Sequence, residues 1–132
     1  MIVETRQNHT SRILVVEDDS EMRALLNDEL SDEGYEVIQA GDAAEAAVRV
    51  SRESFDLVIT DMKMPKLGGL ELLPVVKEAC PDLPVIVITA FADGPTLVEA
   101  YVKGAFCYIS KPFKIMELKN EVRKALQKKG GE

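Results

Sequence analysis

The sequence has few of the residues that mark several common kinds of protein. It contains two cysteines, Cys80 and Cys107, which form neither a CxxC pair nor any metal-ligand spacing. A zinc module or a disulfide scaffold is thereby excluded. Both thiols are expected to be free and at least half-buried, in a reduced, cytoplasmic compartment. No apolar stretch approaches the roughly 18 residues of a membrane span. The one histidine, His9, sits in the polar start MIVETRQNHTSR with no partner nearby, so it is neither a ligand nor a catalytic base. That start has no apolar core of the kind a signal peptide carries, and residues 1–11 are expected to be a disordered lead-in. An excess of basic charge is missing too. A net charge of -7 and a pI of about 4.8 argue against a domain that grips nucleic acid by its phosphates.

What is present is the composition of a single soluble domain of 132 residues. Five runs read as strands: Arg12–Val16, Tyr35–Gln39, Asp56–Thr60, Pro84–Thr89 and Ala105–Ser110. ILVV, LVI and VIVI are continuously apolar and β-branched, the pattern of strands buried on both faces of a parallel sheet. Helical periods lie between them. Met22, Leu25, Leu26 and Leu30 form a first apolar face stopped by Gly34. Asp42-Ala43-Ala44-Glu45 opens a second helix as a capping box, with Ala43, Ala46, Ala47 and Val50 facing inward. A third helix spans Gly69 to Ala79 and is expected to kink or shorten at Pro74. A fourth starts at Asp93-Gly94-Pro95, with Leu97, Val98, Tyr101 and Val102 as its inner face. The fifth runs from Lys114 to Lys128 and buries Ile115, Leu118, Val122 and Leu126. The expectation is an α/β domain over residues 12–128, a (βα)5 doubly wound five-stranded parallel sheet, with a frayed tail or linker start at 129–132.

In such sheets the chemistry sits beyond the carboxyl ends of the strands. Strand one ends in Glu17-Asp18-Asp19, strand three in Asp61, strand four in Thr89-Ala90 and strand five in Lys111-Pro112. Each residue has an ordinary reading by itself. Asp19 or Ser20 can cap a helix, Asp61 can form a turn, Thr89 is a common strand residue, and Lys111 can be solvated. Their joint placement is harder to explain so. Like charges stacked at a strand end are unfavourable without a cation, and hard oxygen ligands suit Mg²⁺. The pocket is suited to phosphoryl transfer onto a carboxylate. A divalent ion on Asp18 and Asp61, the Lys111 ammonium and the Thr89 hydroxyl would each meet one oxygen of the group, and Ala90 leaves room for its entry.

ILVVEDDS, DLVITDMKMP, VIVITA and ISKPF, in this order and spacing, resemble the CheY-like receiver domain of two-component response regulators. The resemblance runs from about Arg12 to Leu126 and implies a flavodoxin-like sheet of strand order 2-1-3-4-5. It implies that Asp61 accepts a phosphoryl group from a histidine kinase or phosphotransfer protein. Asp18 would be a direct Mg²⁺ ligand, Glu17 would act through a water, and the Lys63 main-chain carbonyl would add a further ligand. Thr89 resembles the switch hydroxyl, Lys111 the phosphate-contacting lysine, and Tyr108 the aromatic that turns inward as Thr89 moves. The bond to Pro112 would be cis. Glu17 stands where aspartate is common, and Pro74 is less usual in the third helix.

The resemblance also implies a switched surface formed by helix four, strand five and helix five, around Ala92–Lys103 and Tyr108–Lys119. It would bind an output domain, a target protein or a second copy of the chain. A hydrolase of the haloacid-dehalogenase type would want a second acid where Lys63 stands. A flavin or nucleotide module would want a Gly- or hydroxyl-rich loop where EDDS stands. A degenerate receiver acting only through protein contacts is the remaining alternative, against which the intact Asp18, Asp61, Thr89 and Lys111 set counts. The terminal KKGGE reads as a linker start, and both a stand-alone regulator and the receiver of a longer protein fit that expectation.

Overall fold

The five apolar runs pair into one parallel sheet. The computed structural model describes residues 10–61, 69–90 and 100–131. The strands are β1 (Arg12–Val16), β2 (Glu36–Ala40), β3 (Leu57–Asp61), β4 (Val85–Thr89) and β5 (Cys107–Ser110), in the order β2-β1-β3-β4-β5. The helices are α1 (Ser20–Asp32), α2 (Ala43–Arg52), α3 (Gly69–Ala79), α4, of which residues 100–102 are described, and α5 (Ile115–Gly131). His9 in the lead-in, the loop from Lys63 to Gly68, and Asp93-Gly94-Pro95, Leu97 and Val98 of the fourth helix lie outside the described residues.

The two-residue period of each strand divides the core into two layers. Ile13, Val15, Leu57, Ile59, Ile86, Ile88 and Ile109 pack with Leu26 and Leu30 of α1 and with Leu118, Val122 and Ala125 of α5. On the other face Leu14, Val16, Val58, Val85 and Val87 pack with Ala43, Ala46 and Val50 of α2, Leu72, Leu73 and Val76 of α3, and Ala100. A strand covered on both sides has no polar face to show, which is why these runs do not alternate. Asp19 caps α1, accepting from the Glu21 and Met22 amides at 3.0 and 3.5 Å. Asp42 caps α2 through the Glu45 amide at 2.8 Å, while Glu45 reaches back to the Gly41 amide rather than to that of Asp42. At the amino edge of the sheet Arg12 stacks on Phe55 and pairs with Glu36 and Glu53. Lys119 ties α5 to Glu29 and Glu33 at 3.0 and 3.3 Å.

Several expectations are corrected. The inner face read for the fourth helix fails at Tyr101 and Val102, which are 48% and 80% exposed, while Ala100 is the residue buried there. Among residues 100–102 the small Ala100 alone meets the core, so Tyr101 and Val102 turn outward. Leu25 stands 45% exposed, because Leu26 and Leu30 already fill the α1 side of the core. α3 continues through Pro74, whose ring is exposed. α5 extends past Lys128 to Gly131, since nothing in QKK interrupts the ladder before the glycines. Strands β2 and β3 begin and end one residue later than expected, which makes Asp61 the last residue of β3 itself. Both thiols are half-buried and free, and burial, followed by the neighbouring Glu121, pushes Cys107 up to about 12. Ile86 lies on β4, an interior strand of the sheet, and is fully buried. Ile86→Ala should therefore lower the unfolding free energy by about 2–5 kcal/mol, read from the midpoint of a denaturant melt.

Candidate functional site

The parallel register brings four strand ends to one edge. Val16 of β1 pairs with Thr60, so Glu17 stands beside Asp61, and Asp61 pairs in turn with Ile88 of β4. Thr89 pairs with Ser110, and the Lys111 amide donates to the Thr89 carbonyl at 2.7 Å, which fixes the start of the β5–α5 connection. From there the Lys111 ammonium reaches Asp61 Oδ2 at 2.9 Å and Glu17 Oε1 at 3.7 Å. The Lys111–Pro112 bond is cis. Glu17 and Asp61 are 1% and 5% exposed, whereas Asp18 is exposed. Glu17, Asp61 and Lys111 continue the strand period of the α1/α5 layer. Thr89 continues that of the opposite layer, against which Tyr108 packs. Tyr108 also meets Tyr101 edge to face, with ring centroids 6.3 Å apart.

Carboxylate oxygens of Glu17, Asp18 and Asp61 all lie within 4.8 Å of one another. Taking such groups from water is unfavourable unless cations or donors meet them. Glu17 Oε2 accepts the Asp19 amide at 3.2 Å, but Oε1 is buried with no hydrogen-bond partner. Burial first, then the Asp61 carboxylate, pushes the Glu17 carboxyl up to about 7. Burial works against the Lys111 ammonium, yet its hydrogen bond and charge pairing with Asp61 outweigh that and raise it above its ordinary value. One lysine thus faces an excess of negative charge. A buried carboxylate oxygen that makes no hydrogen bond and meets only the Lys111 ammonium at 3.7 Å, within a cluster of hard oxygen donors, fits a divalent cation of the Mg²⁺ kind.

Of the residues singled out in the sequence, the structure brings Glu17, Asp18, Asp61 and Lys111 together, with Thr89 buried at the adjacent strand end and Tyr108 behind it. Lys63 lies outside the described residues. Two features were not foreseen. Arg23, on the first turn of α1, donates to the Glu17 carbonyl at 2.6 Å. A basic residue at the positive end of a helix is the available sequence signal for it. Beside Lys111, a largely apolar cavity of about 480 Å³ is lined by Met22, Leu25, Ala90, Pro112, Phe113 and Ile115. Among the described residues, no helix is long and apolar enough to cross a membrane.

This sheet, with acids on two strand ends and a lysine on a third, is the architecture of a signalling domain that takes phosphate on a carboxylate. The family described as the response regulator receiver domain matches residues 13–123, and the chain belongs to it. It is a CheY-like receiver of the two-component systems. The chain is 44% identical over 114 residues to the DNA-binding transcriptional regulator NtrC of Bradyrhizobium sp. (strain RP501 Parasponia), covering 86% of this chain and 24% of that protein. It therefore spans about a quarter of the length of such relatives. It is 36% identical over 115 residues to the sporulation initiation phosphotransferase F of Bacillus subtilis (strain 168), covering 87% of this chain and 93% of that one. The response regulator protein TrrA of Thermotoga maritima, solved in complex with Mg(2+)-BeF, superposes with a TM-score of 0.81 at 36% identity, covering 89% of this chain and 100% of that chain. Receivers of this family bind Mg²⁺ in an acidic pocket and work with histidine kinases and output domains.

The raised Glu17 carboxyl makes a pH prediction. Between about 4.5 and about 7 the folded protein holds a proton on Glu17 that the unfolded chain has released. In EDTA, the stability associated with Glu17 is full below pH 4.5 and falls as pH rises through 7. Mg²⁺ binding, which needs the ionised group, strengthens over the same window. Glu17→Gln should flatten that fall, read as denaturant midpoints at pH 5 and pH 8. An unchanged pH slope in Glu17→Gln would contradict the assignment.

Proposed function

We propose that Asp61 is the phosphoacceptor of this receiver and that its phosphorylation is Mg²⁺-dependent. The observation that carries the proposal is the contact of 2.9 Å between the Lys111 ammonium and Asp61 Oδ2, inside a cluster of carboxylates at the strand ends. Asp61 attacks the phosphorus of a phosphohistidine on a kinase or phosphotransfer protein. A bond forms from an Asp61 carboxylate oxygen to phosphorus, the phosphorus–nitrogen bond breaks, and its electron pair leaves on the imidazole. Asp18, Asp61 and the Lys63 main-chain carbonyl would hold Mg²⁺ directly, and Glu17 through a water. When bound, the ion neutralises charge on the transferring phosphoryl oxygens. The Lys111 ammonium shifts from the carboxylate alone to the phosphorylated group, and the Thr89 hydroxyl turns toward it. The protein carries out this chemistry on its own aspartate, including its later hydrolysis, and does not turn over a separate substrate.

The readout lies on the opposite layer. Thr89 and Tyr108 share that layer with Ala100, and Tyr101 and Val102 stand exposed beside them. Movement of Thr89 draws Tyr108 inward and alters the α4–β5–α5 face, which binds an output domain, a target protein or a second copy of the chain. The apolar cavity beside Lys111, with Leu25 exposed at its side, supplies a resting surface for the phosphodonor protein. The free thiols suit a cytoplasmic setting. A degenerate receiver is disfavoured, because a domain that only made contacts would have no use for buried acids facing a lysine.

With Mg²⁺ and acetyl phosphate, the protein should gain the mass of one phosphoryl group, and Asp61→Asn should gain none. Labelling of Asp61→Asn at the parent's level would remove Asp61 from the role. Leu25→Asp should label with acetyl phosphate as the parent does, yet lose about 10-fold or more in transfer from a phosphorylated kinase, in line with loss of a buried interface anchor. Equal losses with both donors would place Leu25 in the fold rather than in donor binding.

A further inference from the structure

We infer that Arg23 is a positioning residue for the metal-binding acids, acting through the main chain of Glu17; the inference rests on the proposed Mg²⁺ site. Arg23 sits in the first turn of α1, its amide closing the first helical bond to the Asp19 carbonyl at 2.9 Å. A cation is disfavoured at that end of a helix, where the exposed amides are positive. Its guanidinium instead extends back over the β1–α1 connection, and Nη1 donates to the Glu17 carbonyl at 2.6 Å.

The peptide unit held in this way is the one between Glu17 and Asp18. On its upstream side the Glu17 amide donates to the Ala40 carbonyl at 3.0 Å, and the Glu17 carboxylate is held by the Asp19 amide at 3.2 Å. With the Glu17 carbonyl also held, the plane of the peptide is set, and with it the direction in which the Asp18 side chain leaves the chain. Asp18 is exposed, so no packed core sets that direction for it. The guanidinium passes close to Gly41. A Cβ there would lie 3.5 Å from Arg23 Nη1, an ordinary van der Waals contact.

Positioning and charge make opposite predictions. Taken as charge alone, a guanidinium near the site repels Mg²⁺, and its removal tightens binding. Taken as positioning, its removal loosens the Asp18 ligand and weakens binding. Mg²⁺ is titrated calorimetrically into the parent, Arg23→Ala, Arg23→Lys and an Asp18→Asn control, with thermal midpoints recorded in EDTA. The expected result is about 10-fold weaker Mg²⁺ binding in Arg23→Ala, the range seen when a residue orienting a metal ligand is lost. Arg23→Lys, which keeps a donor of similar reach, should recover most of it. Unchanged or tighter Mg²⁺ binding in Arg23→Ala overturns the inference, as does a loss that Arg23→Lys does not recover. Should Arg23→Ala fail to melt cooperatively, Arg23→Lys and Arg23→Met, which keeps the length but has no donor, replace it, and equal affinity in those two overturns the inference. A parent that binds no Mg²⁺, or an Asp18→Asn control that binds as the parent does, overturns the metal site itself and the inference with it.

Discussion

The repulsion among three carboxylates held within 4.8 Å is the constraint on which the rest of this molecule depends. A flexible loop would relieve it by letting the acids drift apart. Here Asp61 is the last residue of a strand paired on both sides, and Glu17 follows directly on another. Neither can retreat without breaking ladder hydrogen bonds and exposing core isoleucines and valines. The sheet therefore stores an unfavourable arrangement and the two apolar layers stabilise it. That is the pattern expected of a functional site, where local energy is given up for a poised reaction. Lys111 offsets only part of the repulsion, and its tether to Thr89 keeps it within reach of Asp61 rather than free to choose other partners.

The same pleat that crowds the acids also separates the site from its readout. Glu17, Asp61 and Lys111 follow the period of the α1/α5 layer, whereas Thr89 and Tyr108 follow that of the layer shared with Ala100. Thr89 is the residue at which the two meet, since it ends the strand next to β3 while belonging to the other face. In the proposed switch, an event on one side of the sheet thus biases an aromatic side chain on the other with no rearrangement of the core. The Tyr101–Tyr108 edge contact gives that bias a route to the exposed end of α4.

Much of this was legible in the residues because buried parallel strands have an unusual signature. ILVV, LVI and VIVI admit no polar face, and the acids that end such runs stand out against them. Boundaries were less legible. A strand's last residue is decided by its neighbour's register, so the strand read from the sequence stopped at Thr60, although Asp61 closes β3. Helical period also gave a false inner face for Tyr101 and Val102, because it cannot say how much of a helix the sheet still underlies. Arg23 was overlooked for a different reason. Its partner is a main-chain carbonyl, which every residue possesses and no sequence pattern marks.

The exposed apolar side chains close the argument. An isolated exposed leucine or valine needs no explanation, but three of the exposed apolar side chains, Leu25, Tyr101 and Val102, stand at two places that border the site. Leu25 borders the cavity at Lys111 and Phe113, on the α1/α5 side, and Tyr101 and Val102 border Tyr108 on the other. A receiver has to be reached by a donor before phosphorylation and by a target after it. In the proposed switch the α4–β5–α5 face shares Pro112, Phe113 and Ile115 with the cavity beside Leu25, so donor and target would meet at the start of α5, and a donor seated there would have to leave before a target covers the whole face.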